Sequence, residues 1–189
     1  MKKVIFLDRD GTINIEKSYL HKSEDFEFEV KAIEGLKKFI ELGYELIVVT
    51  NQSGIARGYY TEQDLIKLND FMMDELKKYG IEILECFYCP HHPEKGIGEY
   101  KKDCDCRKPN PGMLEEAIKK YNIDRKNSFM IGDKKGDLEA GQKAGVTSIL
   151  VKTGYGLKTY EKLEKNKKYL VGENLLEISR MIEELKINK

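Results

Sequence analysis

The chain has 189 residues, 40% of them hydrophobic, and Lys plus Arg equals Asp plus Glu at 33 each. That length supports one domain with a substantial core and leaves little room for a second, so residues 1–189 are expected to form a single domain. Zero net charge argues against a global field that draws the protein to nucleic acid or to an anionic membrane.

Met1-Lys2-Lys3 followed by Val4–Leu7 has the outline of an export signal, but the apolar run stops after four residues at Asp8, so it reads as a strand. No apolar run approaches the length of a membrane span, and a cytoplasmic location is expected, where thiols stay reduced. A helix is predicted at 31–42, with Ile33, Leu36 and Ile40 on one side and Gly43 as a left-handed cap. Further strands are predicted at 45–50, 84–88, 128–131 and 147–151. Thr61 caps a second helix with Asp64 three residues on, and that helix ends before Gly80. Cys86 falls inside a strand and reads as a small core residue. A third helix opens at Asn110-Pro111, with proline at the first helical position. The Lys- and Glu-rich segment 158–168 reads as a solvated helix face. In the last helix Asn174 caps a face of Leu175, Ile178, Ile182 and Leu185. The alternation predicts an α/β fold, a parallel central sheet with helices on its faces. Residues 89–106 break the pattern; they form a long polar loop with too few apolar side chains to hold itself in place.

Sites in open parallel sheets lie beyond the carboxyl ends of the strands. Four segments occupy such positions: Asp8-Arg9-Asp10-Gly11-Thr12, Thr50-Asn51-Gln52-Ser53-Gly54, Cys106-Arg107-Lys108-Pro109, and Gly132-Asp133-Lys134-Lys135-Gly136-Asp137. Asp8 and Asp10 are two apart, a spacing that turns both carboxylates to one side of an extended chain. With Asp133 arriving from another strand end, the carboxylates repel one another unless a hard divalent ion such as Mg2+ joins them. Such an ion shields Asp8 and a phosphate dianion from each other. The Lys108 charge and the Thr50 hydroxyl suit phosphoryl oxygens. Asp10 suits the proton transfers, first to the leaving oxygen and later from water. Together these groups describe phosphoryl transfer through an aspartyl-phosphate.

Carried by the DRDGT, TNQSG, CRKP and GDK segments in that order, residues 4 to about 154 resemble the haloacid dehalogenase superfamily of phosphatases. The match is nearest to its histidinol-phosphate and heptose-bisphosphate phosphatase branch. The resemblance implies a Rossmann-like three-layer sandwich without a large cap domain, Asp8 as nucleophile and Asp10 as acid/base. It also implies Mg2+ on Asp8, the Asp10 backbone carbonyl and Asp133, with Asp137 supporting the metal from behind and Lys134 against substrate or Asp8. A monomer is implied as well.

Cys89, His91, Cys104 and Cys106 form a Cys-x-His-x12-Cys-x-Cys pattern across the long loop. Three thiolates and an imidazole close a tetrahedral Zn2+ shell with no open position, which is structural chemistry. Free thiols or a redox pair are the competing readings. His92 is the rival of His91, and the related phosphatases match His91. Such a zinc loop at 89–106 would hold Arg107 and Lys108 at the sheet edge. His21 reads as a surface histidine.

The spacer between the two halves of the cysteine pattern is twelve residues, and by resemblance this longer loop sides with the heptose-bisphosphate enzymes. The expected reaction is removal of the 7-phosphate from D-glycero-D-manno-heptose 1,7-bisphosphate, a small phosphorylated sugar. Its contacts are expected from Glu16, Lys17, Ser18 and Tyr19, from Thr50, Asn51, Gln52 and Ser53, and from Arg107, Lys108 and Lys134, with Arg107 on the remaining 1-phosphate. Glu16 stands where related enzymes carry aspartate. Histidinol phosphate is the nearest alternative substrate. A DNA 3′-phosphatase lacks support because the basic footprint is missing. A zinc-dependent interaction module is disfavoured by the intact set of Asp8, Asp10, Lys108 and Asp133.

Overall fold

The first apolar run forms β1 (Val4–Leu7) at the middle of the sheet in the computed structural model, which describes residues 1–163 and 169–187. β1 pairs in parallel with β2 (Glu45–Asn51) on one side and β4 (Phe129–Gly132) on the other. β3 (Ile83–Cys89) lies outside β2, while β5 (Thr147–Val151) and β6 (Leu170–Gly172) continue beyond β4, also in parallel. The order is therefore β3-β2-β1-β4-β5-β6. β6 has no counterpart in the sequence reading, because three residues are too few to express a period. The Lys- and Glu-rich segment forms a helix over its first part, and residues 164–168 of it lie outside the described residues.

Strand side chains alternate between faces, so β1 divides its four apolar residues between two cores. Ile5 and Leu7 join Leu46, Val48, Ile131 and Val151 on one face. Val4 and Phe6 join Ile47, Val49 and Met130 on the other. The helices in chain order are α1 (Ala32–Glu41), α2 (Ser53–Ala56), α3 (Glu62–Lys77), α4 (Gly112–Tyr121), α5 (Lys135–Lys143), α6 (Gly156–Lys162) and α7 (Leu175–Ile187). Leu36 and Phe39 of α1, Met72 and Leu76 of α3, and Ile178 and Ile182 of α7 cover the first face. Met113, Leu114 and Ala117 of α4 with Ala140 of α5 cover the second. These three layers form a Rossmann-like sandwich, and truncating a fully buried member such as Leu36 to alanine costs about 2–5 kcal/mol.

Local signals set most boundaries. Thr61 and Asp64 form a reciprocal capping box at α3, Asn174 Oδ1 accepts from the Glu177 amide at 3.1 Å, and Gly43 is left-handed at φ 80°. α4 begins one residue later than expected, with Pro111 as its cap. The buried stripe of α1 is Ala32, Gly35, Leu36 and Phe39, while Ile40 is exposed. The helix is turned this way because Gly35 lies under α7; a Cβ there would stand 2.6 Å from Leu175 Cβ.

Because every strand is parallel, all carboxyl ends share one edge. The chain leaves β1 toward β2 and later returns on its other side as β4, which opens a crevice above β1. Two long segments rise from this edge, residues 8–31 and 90–111, and no cap domain stands over it among the described residues. No described helix is long and apolar enough to cross a membrane.

Candidate active site at the β1/β4 switch point

Asp8 continues β1 by one residue, its amide donating to Ile131 O at 2.9 Å. Lys108 reaches it from the loop before α4. The Lys108 ammonium has three donors and three acceptors: Asp8 Oδ1 at 2.9 Å, Asp137 Oδ1 at 2.6 Å and Val49 O at 2.7 Å. Burial works against its charge, but Asp137 and Asp8 more than offset that and raise its pKa, so it stays cationic. Asn51 fixes the Lys108 backbone with two bonds, donating to its carbonyl at 2.9 Å and accepting from its amide at 3.1 Å.

Asp133 follows β4 and is fully buried. Its Oδ2 accepts from the Tyr155 amide at 2.8 Å, but Oδ1 has no hydrogen-bond partner. Burial first, then Asp8 and Asp137, push its carboxyl up to about 8 against the pull of Lys134. Gly11 makes room for this carboxylate; at φ 81° it is left-handed, and a Cβ would lie 2.3 Å from Asp133 Oδ2. Carboxylate oxygens of Asp8, Asp133 and Asp137 all lie within 4.8 Å of one another. An orphaned, buried carboxylate oxygen in a trio of like charges fits a divalent cation, with hard oxygen donors suited to Mg2+. Asp137 is the least available member. It pairs with Lys108, and its Oδ2 accepts the Lys134 amide at 2.9 Å at the start of α5.

Asp10 is held from every side. Arg9 Nη2 donates to both of its oxygens at 3.0 Å, Asn14 Nδ2 to Oδ1 at 3.0 Å, and Gln52 Nε2 to Oδ2 at 2.8 Å. Burial favours the neutral acid, yet the Arg9 charge and these bonds prevail and hold the carboxyl below the usual range. Gln52 also donates to Thr50 Oγ1 at 2.9 Å, and its Oε1 accepts from the Tyr60 hydroxyl. Arg9 is itself fully buried and anchored on Asn69 of α3 at 3.0 Å.

The groups surround a cleft of about 390 Å³. Asp8, Asp10, Glu16, Ser18, Tyr19, Thr50, Asn51, Gln52, Ser53, Lys108, Lys134 and Asp137 all line it. Ser18 and Tyr19 do so with φ of 50° and 64°, consecutive left-handed residues whose strain marks a shaped loop. Glu16 Oε1 accepts the Ser18 amide at 2.8 Å and its Oε2 accepts Lys134 Nζ at 3.1 Å. Two expected contact residues are not on the wall. Lys17 pairs with Glu27 at the surface, and Arg107 Nη1 donates to His91 O at 3.0 Å. Tyr60 and Tyr155 line the cleft without having been anticipated, and Arg9, Asn14 and Asn69 lie behind it. Nothing in their sequence neighbourhood signals these roles, since each depends on a partner in another element.

Cys89, at the end of β3, meets the far side of the long loop. Its sulfur is 3.5 Å from Cys104 and 3.1 Å from Cys106, and the last two are 3.1 Å apart. His91 Nδ1 lies 3.7 Å from Cys89 and 3.5 Å from Cys106. These sulfurs are far beyond a bonded S–S length of about 2.05 Å. They lie a little inside the edge, about 3.8 Å, of a tetrahedral zinc–thiolate shell. The donor set therefore fits Zn2+. His92 is turned away, its Nδ1 accepting the amides of Glu94 and Lys95 at 3.2 and 3.0 Å. Cys86 is a partly buried neighbour of the core, as expected.

The same architecture recurs in known proteins. A family model described as HAD-hydrolase-like matches residues 105–178. A D-glycero-alpha-D-manno-heptose-1,7-bisphosphate 7-phosphatase of Photorhabdus laumondii is 51% identical over 182 residues, covering 96% of this chain and 97% of the relative. A D-glycero-beta-D-manno-heptose-1,7-bisphosphate 7-phosphatase of Pasteurella multocida is 47% identical, covering 98% of this chain and all of the relative. Among solved structures, a D,D-heptose 1,7-bisphosphate phosphatase of B. bronchiseptica complexed with magnesium and phosphate superposes with a TM-score of 0.85 at 31% identity, covering 98% and 99% of the two chains. Likeness of this extent, along nearly the whole length of each partner, establishes that the chain belongs to the haloacid dehalogenase-like hydrolases, in their heptose-bisphosphate phosphatase family.

Proposed function

We propose that the chain removes the 7-phosphate from D-glycero-D-manno-heptose 1,7-bisphosphate through an aspartyl-phosphate on Asp8. The observation that carries the reading is the buried trio of Asp8, Lys108 and Asp133 above β1, in which one Asp133 oxygen accepts no hydrogen bond and has only the Lys134 ammonium, 3.9 Å away, to offset its charge. The substrate is inferred from the relatives, which are heptose-1,7-bisphosphate 7-phosphatases at 43–51% identity.

Asp8 attacks phosphorus with the oxygen that Lys108 does not hold, and the bond from phosphorus to the sugar oxygen breaks. Asp10 gives its proton to that oxygen. In the free protein Asp10 is held ionised, so the arriving phosphate, a like charge, has the task of raising it and loading the proton. Asp10 then takes a proton from water, which attacks the phosphorus of the aspartyl-phosphate and restores Asp8. Lys108 and the Thr50 hydroxyl bind the phosphoryl oxygens throughout, and Lys134 with the Glu16–Tyr19 and Thr50–Ser53 segments receives the sugar. Asp8, the Asp10 backbone carbonyl and Asp133 hold Mg2+, with Asp137 behind them, and this ion shields the meeting of two anions. Cys89, His91, Cys104 and Cys106 hold a structural Zn2+ that fixes the loop carrying Lys108.

Steady-state kinetics with Mg2+ on both anomers of the heptose bisphosphate and on histidinol phosphate test the assignment. At least one heptose anomer is expected to give the highest kcat/KM, and better turnover of histidinol phosphate would overturn it. Asp8→Asn is expected to lower turnover at least a thousandfold, because the nucleophile is lost.

A further inference from the structure

His21 has no part in the chemistry above and is not on the cleft wall, but it adjoins two residues that are, Tyr19 and Tyr60. The segment between β1 and α1 leaves the sheet edge as a loop whose base is closed by the Ile15 amide on Glu27 O at 2.9 Å. Within it Ser18 and Tyr19 line the cleft in the left-handed region, which residues other than glycine keep only where their surroundings fix them. Two side chains bracket this pair. Glu16 Oε1 accepts the Ser18 amide on one side, and on the other His21 Nδ1 lies 2.9 Å from Tyr19 O. A carbonyl oxygen only accepts, so Nδ1 carries the proton and donates.

The imidazole is in turn seated on a fixed surface. Its ring stacks on Tyr60, with centroids 5.2 Å apart and planes 9° from parallel. Tyr60 is buried and closely packed: its hydroxyl donates to Gln52 Oε1, and a Cβ at Gly54 would stand 2.1 Å from its ring. The tyrosine is therefore the anchor, and the half-buried histidine is what it holds. Tyr19 meets the same segment beyond α2 by a second contact, edge-on to Tyr59 at 4.8 Å. From these observations we infer that His21 is a positioning residue for recognition of the sugar. It clasps the 16–21 loop to Tyr60 and so holds Ser18 and Tyr19 in the shape that meets the substrate. This role rests on the reaction proposed above and is confined to binding of the sugar, apart from transfer of the phosphoryl group.

The test combines steady-state kinetics on heptose 1,7-bisphosphate, competitive inhibition by inorganic phosphate and limited trypsin digestion, using the full chain with Mg2+ and its loop metal in place. His21→Ala is expected to raise KM for the bisphosphate about tenfold, with kcat changed less than about threefold. Inorganic phosphate carries no sugar, so its inhibition constant is expected to stay within about twofold of the wild-type value. Trypsin is expected to cut after Lys17, inside the loop, about tenfold faster than in the wild type. His21→Phe keeps the stack and loses only the bond to Tyr19 O, so its KM and its cleavage rate are expected to be intermediate. An unchanged KM, or equal rises in KM and in the phosphate inhibition constant, overturns the role in sugar binding while leaving the proposed reaction standing. An unchanged cleavage rate overturns the clasp, and a phenylalanine variant no better than alanine removes the stack from it. If the wild-type protein fails to hydrolyse the bisphosphate, the proposed function falls and the role in sugar binding with it, while the cleavage rates still decide whether His21 holds the loop.

Discussion

Tyr60 should be a positioning residue for Asp10, and Tyr60→Phe isolates that role. The ring is retained, with its stacking on His21 at 5.2 Å between centroids, and only the hydroxyl is lost. Gln52 is 3% exposed, so its Oε1 is left as a buried acceptor without a donor, which costs about 1–3 kcal/mol. In a protein of this size that corresponds to about 2–4 °C of Tm per kcal/mol. The same hydroxyl fixes which way the Gln52 amide faces, and so directs its Nε2 toward Asp10 and Thr50. With the amide released, Asp10 loses a bond that favours its ionised form, and its pKa rises. A hydrogen bond to a charged group is worth about 1.5–3 kcal/mol, so the shift should be about one unit or more. The acidic inflection of the kcat/KM profile should move up by that amount, with kcat falling about tenfold. A variant that loses only Tm, with the inflection and kcat as in the wild type, would show that Tyr60 merely packs.

Two further predictions concern the metals. Asp133 has a folded pKa of about 8 against an ordinary value near 3.8, so without Mg2+ the folded form binds the extra proton between those limits. Its contribution to stability is complete below pH 4 and is lost as pH rises toward 8, at up to about 1.4 kcal/mol per unit. Urea midpoints at pH 5 and pH 8 should therefore diverge in Mg2+-free buffer and converge when Mg2+ is added, and equal midpoints throughout would contradict the charge repulsion described for this trio. At the loop, His91→Ala and Cys106→Ser should leave the purified chain with less than one zinc, as measured by metal analysis, whereas His92→Ala should retain it. Cys106 is two residues from Lys108, so its loss should also lower kcat/KM on the order of tenfold through loosened positioning. Full zinc content in the His91 and Cys106 variants would remove the basis for a Cys3His site.

Features written in contiguous residues were legible in the sequence. Five of six strands, the α3 capping box, the Gly43 stop and the Asn174 cap follow from local preferences that act over a few residues. The motifs after the strands marked Asp8, Asp10, Thr50, Lys108 and Asp133 because parallel strands deliver their carboxyl ends to one edge. The Cys-x-His and Cys-x-Cys pairs were equally visible, since ligand spacing is a local property. What required the tertiary structure is everything that depends on which distant groups meet. Separations of 60 residues from Arg9 to Asn69 and of 57 from Asn51 to Lys108 leave no periodic trace. The same holds for the rotation of α1 set by Gly35 under Leu175 and for the turning of Arg107 and Lys17 off the cleft wall. Residue types and spacing select the chemistry that a chain can perform, whereas packing of one element on another sets where each side chain is aimed and which charges are left without partners.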